Sequence, residues 1–92
     1  IKIDVEGGEY GVLKGGAATI KREKPVIIFE HGLGAADVYG TTPEMMYDFL
    51  VEKCGLKVST MSAFLSDRKG FSKSQFTKHF YQNMDYYFVA FP

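Results

Sequence analysis

Two short stretches of this sequence concentrate groups that can move a proton or hold a cation. One is Asp4-Val5-Glu6-Gly7-Gly8-Glu9 and the other is Glu30-His31. If both lie at the ends of neighbouring strands, Asp4 and Glu6 come close to Glu30 and His31. Carboxylates and an imidazole sharing one crevice can act as general base toward a hydroxyl. Asp4, Glu30 and His31 could alternatively hold a hard divalent cation, although no metal is assigned from the residues alone. Simpler roles compete with these. Glu6 and Glu9 can cap and charge a following helix, and a loop histidine such as His31 is often just exposed. Asp4 is harder to set aside, because an acid near the end of an apolar strand costs stability unless it is solvated or paired. His79 has no companion and receives no role. Lys21-Arg22-Glu23-Lys24 reads as a solvated helix end.

The elements that would position these groups follow from pattern. Ile1-Lys2-Ile3-Asp4-Val5 alternates like a strand, and Gly7-Gly8 breaks it. Glu9 to Lys14 reads as a short helix, with Gly15-Gly16 as its stop. Pro25 to Glu30 carries a continuous apolar run, as suits a strand covered on both faces. His31-Gly32-Leu33-Gly34 is a loop. Thr42-Pro43-Glu44 supplies a cap, a first-turn proline and a first-turn acid. Met46, Phe49, Leu50 and Cys54 continue that helix to Gly55. Leu56 to Met61 is a third strand. Ser72-Lys73-Ser74-Gln75 resembles a capping box for a helix reaching about Tyr81, and Tyr86 to Phe91 is the last strand. Strands alternating with helices predict an α/β unit with a mainly parallel sheet, and the catalytic crevice of such a sheet lies outside the carboxyl ends of its strands.

Composition narrows the function. The chain has 92 residues, 46% hydrophobic and 24% charged, which bounds it to one small domain spanning residues 1–92. Lys+Arg and Asp+Glu both number 11, so there is no basic excess of the kind a general nucleic-acid binder carries. No apolar run is long enough to cross a membrane as a helix. Cys54 is the only cysteine, so an intrachain disulfide is excluded and a reducing, cytoplasmic setting is expected. The chain opens on Ile1, already inside a strand pattern, so further sequence upstream is expected.

The stretch from Ile1 to Gly16, IKIDVEGGEYGVLKGG, resembles the hallmark K-I-D-V-E-G-x-E-x-x-V-L-K-G segment of FkbM-type methyltransferases. Lys24 to Glu30 is similar to the K-P-x-I-x-x-E strand of that family, and Tyr86 to Phe91 is similar to its last strand. Gly8 and Gly11 depart from the family's usual Ala and larger residue. The resemblance implies the C-terminal half of a class I methyltransferase Rossmann-like sheet, with the present strands as its fourth to seventh. It places the last strand antiparallel, between the second and third strands of this chain. It implies S-adenosyl-L-methionine as cofactor of the intact enzyme and a small-molecule or glycan acceptor. Asp4 and Val5 would line the cofactor floor, and Asp4, Glu6 and His31 would serve catalysis. Glu30 and His31 would face the acceptor. The glycine-rich cofactor loop of that family is not found in these residues, since Gly32-Leu33-Gly34 follows an inner strand and lacks the full pattern. The isolated segment is therefore expected to be inactive. A non-catalytic α/β ligand-binding or interaction module is the alternative from another class, and a response-regulator-like or hydrolase half is a third. The edge of Ile1 to Val5, with only Lys2 and Asp4 as protection, is expected to self-associate.

Overall fold

A computed structural model describes residues 1–92. Its strands are β1 (Lys2–Ile3), β2 (Ile27–Glu30), β3 (Lys57–Thr60) and β4 (Tyr87–Phe91). Its α-helices are α1 (Glu9–Gly15), α2 (Ala17–Glu23), α3 (Pro43–Tyr47), α4 (Met61–Ser66) and α5 (Lys73–Tyr81). The four strands form one sheet in the order β1-β2-β4-β3. β1 runs parallel to β2, and β4 runs antiparallel to both β2 and β3. This is the predicted order and the predicted reversal of the last strand.

Side-chain alternation divides the sheet into two faces. Ile3, Ile27, Phe29, Phe88, Ala90 and Val58 share one face through the pairings Ile3↔Phe29, Phe29↔Phe88, Ile27↔Ala90 and Val58↔Ala90. That face carries the core. Leu13 of α1, Ile20 of α2, Met46 of α3 and Phe76 of α5 are buried in one cluster with it. The opposite face presents Lys2, Ile28, Glu30, Tyr87, Val89 and Phe91. It is covered at the β4 end by α4, where Phe64 packs edge-on against Phe91 with ring centroids 4.9 Å apart.

Several element ends differ from expectation for identifiable reasons. The regular part of β1 is only Lys2–Ile3, because Val5 already turns into the loop. The helix after β1 does not stop at Gly15-Gly16. Gly16 ends α1 and starts α2 at once, donating its N–H back to the Leu13 and Val12 carbonyls. The third strand stops at Thr60 rather than Met61, because the Thr60 hydroxyl accepts the Ala63 N–H and caps α4. The Thr42 cap, the first-turn Pro43 and the Ser72/Gln75 capping box form as predicted. The helix begun at Pro43 widens to a π-turn over Asp48–Lys53, in which the Cys54 N–H reaches the Phe49 carbonyl at 2.9 Å. Gly55 then closes it at φ 74°, a conformation that favours glycine. No helix is long and apolar enough to cross a membrane.

Candidate active site

The carboxyl end of β1 is shaped by Glu9. Its side chain is buried, with Oε2 accepting the Val5 N–H at 2.8 Å and Oε1 accepting the Gly7 N–H at 3.0 Å. One carboxylate thus binds both amides of the turn that carries Asp4 away from the strand. Glu6 occupies left-handed space at φ 53° and points outward, exposed. Gly7 follows at φ 107°, and a Cβ there would lie 2.4 Å from the Ala35 carbonyl oxygen. The turn therefore needs glycine for its backbone conformation and for the close approach of the loop after β2.

On the open face of the sheet, the register continues from Ile3↔Phe29 to set Asp4 beside Glu30, and Glu30 pairs with Tyr87. Asp4, Glu30 and Tyr87 thus form a row across three adjacent strands. Asp4, Glu9 and Glu30 each place a carboxylate oxygen within 4.8 Å of the others. The electrostatics follow from this crowding. The Asp4 side chain, hydrogen-bonded to Glu30, raises the Glu30 carboxyl above the usual range. Partial burial and the charges of Asp4, Glu9 and Glu6 add to the effect. The Asp4 and Glu30 charges likewise push the Tyr87 phenol up, with burial adding to it.

The expected crevice is corrected in two respects. The third carboxylate gathered there is Glu9, not Glu6. His31 does not join it. Counting by two from Ile27 and Phe29 puts His31 on the core face, where it is 2% exposed. Its ring stacks on Phe76 at 5.6 Å and lies 4.6 Å from Phe80 and 6.5 Å from Phe88. Neither ring nitrogen has a hydrogen-bond partner. Burial lowers its pKa to about 4, so the ring is neutral near pH 7. The cation set imagined as Asp4, Glu30 and His31 is therefore Asp4, Glu9 and Glu30 in the structure. Both Glu9 oxygens already serve backbone amides, which accounts for that residue without an ion, and no metal is assigned.

The loop after β2 has its own logic. A Cβ at Gly32 would lie 2.3 Å from the Tyr86 ring, so Gly32 exists to let that ring pack on the backbone. Tyr87 was missed in the sequence. Its signal was the parity of the last strand, because the apolar Phe88 and Ala90 must face inward and so turn Tyr87 outward.

The family model described as the Methyltransferase FkbM domain matches residues 1–58, well over half of the chain. The chain belongs to the FkbM methyltransferase family. The match covers β1 and β2 and the turns that follow them, so the row of Asp4 and Glu30 lies inside it, while Tyr87 lies beyond it. No curated protein and no solved structure matches the chain.

Proposed function

We propose that this FkbM-family chain forms the acceptor-side floor of an S-adenosylmethionine-dependent O-methyltransferase, with Asp4 and Glu30 as the proton-handling pair. The observation that supports it most is the placement of two carboxyl groups side by side at the carboxyl ends of adjacent parallel strands, where ligands of α/β sheets bind. The cofactor fits these residues in part. A rim of Asp4 and Glu30 suits the cationic end of S-adenosylmethionine, and the exposed Val5 beside it offers apolar contact. The Val5 and Gly7 amides are occupied by Glu9, so those two cannot cradle the rest. The isolated chain accordingly binds the cofactor weakly or not at all.

When bound, S-adenosylmethionine supplies an electrophilic methyl group. The chain's own residues prepare the nucleophile. Asp4 accepts a hydrogen bond from the acceptor hydroxyl and orients its oxygen. The proton released as the hydroxyl becomes an ether passes to the Asp4/Glu30 pair. Glu30 suits this role, because its raised pKa favours holding a proton. Glu6, exposed on the same turn, stands at the mouth of the site. A positioned base of this kind contributes ~10²–10⁴-fold.

The test is methyl transfer by a protein that carries this segment behind a glycine-rich cofactor turn, using labelled methyl donor and paired hydroxyl and amine acceptors. Label on oxygen supports the reading. Label only on nitrogen or carbon, or ligand binding with no transfer, overturns it and favours a different chemistry or a non-catalytic module.

A further inference from the structure

A concavity of about 350 Å³ lies on the outer side of the Gly7 turn. Its floor is helix backbone, because Gly8 and Gly11 present no side chain, and a Cβ at Gly11 would meet nothing within 4 Å. Its walls are the rings of Tyr10 and Tyr39, and Tyr39 is 66% exposed. Thr41 also lines it. That residue is 5% exposed. Lys14 supplies the one charge, its Nζ held 4.8 Å over the Tyr10 ring. The turn that separates this pocket from the acidic row is shared, since Gly7 lines the pocket while its N–H binds Glu9.

From these features we infer that the pocket binds a pyranose sugar, preferentially one bearing an anionic substituent. A side-chain-free floor and an exposed tyrosine ring suit a flat saturated ring whose C–H face lies against an aromatic face. The absence of aliphatic side chains from the walls disfavours a lipid or an apolar polyketide, whose recognition relies on apolar burial. The Thr41 hydroxyl lines the pocket and can exchange hydrogen bonds with a ring hydroxyl of the sugar. Lys14 is unopposed by any acid within the pocket, so a carboxylate on the sugar gains a charge-assisted hydrogen bond. Tyr10 and Lys14 also border a second concavity of about 450 Å³ lined further by Asp48, Glu52 and Lys53, which leaves room for a further, uncharged sugar residue. Calling the sugar the methyl acceptor rests on the methyltransferase reading, whereas its binding does not.

The experiment is an NMR titration of the isotopically labelled chain, without cofactor, with methyl glucopyranoside and with its uronate. Saturable shifts at Thr41 and Tyr39, larger in affinity for the uronate, are expected. Gly11→Leu fills the floor while raising helix propensity, so it should fold at least as well as the parent and weaken both sugars by ~10-fold or more. Lys14→Gln should remove the preference for the uronate and retain neutral binding. No saturable shift at Thr41 and Tyr39 with either sugar overturns the proposal, as does undiminished binding by folded Gly11→Leu. Sugar binding in a protein that transfers no methyl group would sink the methyltransferase reading alone. Oxygen methylation of non-sugar acceptors with no sugar binding would sink this one alone.

Discussion

Asp4 and Glu30 stand side by side on parallel strands, and the Asp4 side chain holds the Glu30 carboxyl above the usual carboxylate range. A raised carboxyl pKa means that the folded state binds more protons than the unfolded chain between the two values. The contribution of Glu30 to stability is therefore fully present below its unfolded pKa and is lost as pH rises through the folded one. Carboxyl carbon NMR should show Glu30 titrating above a model glutamate, and Asp4→Asn should bring it down. Glu30→Gln should be more stable than the parent at pH 7, by up to about 1 kcal/mol given its partial exposure. A Glu30 that titrates normally would show that the two groups do not interact.

His31 gives the opposite pH dependence. Its pKa is lowered to about 4 by burial, against ~6.5 in an unfolded chain. Stability is then fully present above about pH 6.5 and is lost as pH falls toward about 4, amounting to about 3 kcal/mol across that window. His31→Phe should flatten this slope and move acid unfolding to lower pH, as measured by circular dichroism against pH. An unchanged acid transition would contradict the burial of an unpartnered imidazole among Phe76, Phe80 and Phe88.

The turn after β1 depends on Glu9 and Gly7. Glu9→Ala strands the Val5 and Gly7 amides and should cost about 2–3 kcal/mol. Gly7→Ala forces an unfavourable φ and a contact with Ala35, and should cost about 2 kcal/mol or more. Gly11→Ala serves as the control, since its Cβ has open space and should stabilise the helix by up to about 1 kcal/mol. Denaturant melts of the three variants provide the check, and equal effects would refute this account of the turn.

How much of this was legible in the sequence differs from residue to residue. The Thr42-Pro43 start and the Ser72/Gln75 box were readable because caps are local chemistry within four residues. The strand order was readable from alternating elements together with the family resemblance. The π-turn at Asp48–Lys53 was not, because the hydrogen-bond register inside a helix leaves no periodic trace in seven residues. Thr60 read as a strand residue and is the last residue of β3, but the strand was carried on to Met61 because nothing in the alternation showed that the Thr60 hydroxyl caps α4. His31 was placed in a polar loop because it follows Glu30. Strand parity carried one residue further assigns it to the core. Glu9 appeared as a surface acid for the helix dipole, and only the folded loop supplied the two amides that bury it.

The outer edge of β1 predicts assembly of the isolated chain. The Ile28 N–H binds the Ile1 carbonyl, so by ladder alternation Ile3 also faces β2, while the backbone groups of Lys2 and Asp4 face outward. An antiparallel second copy centred on Ile3 would pair those groups, set each Lys2 opposite the other copy's Asp4, and cover the apolar groove of Ile1, Val12 and Ile20. Light scattering should give a dimer at high micromolar concentration, and Lys2→Pro, which removes an outward N–H and leaves the β1–β2 ladder intact, should make it monomeric. A monomer whose β1 amides are nonetheless protected from exchange would mean that the edge is covered by the same chain.

The most direct test of the central claim is steady-state methyl transfer to a hydroxyl acceptor by the cofactor-competent protein carrying Asp4→Asn, compared with the parent. The account predicts a fall in kcat of ~10²–10⁴-fold with an unchanged fold, a smaller fall for Glu30→Gln, and partial recovery of the Asp4→Asn rate as pH rises and the acceptor hydroxyl ionises without help. A variant that turns over at the parental rate, with a parental pH profile, would contradict the assignment of Asp4 and Glu30 as the groups that prepare the nucleophile.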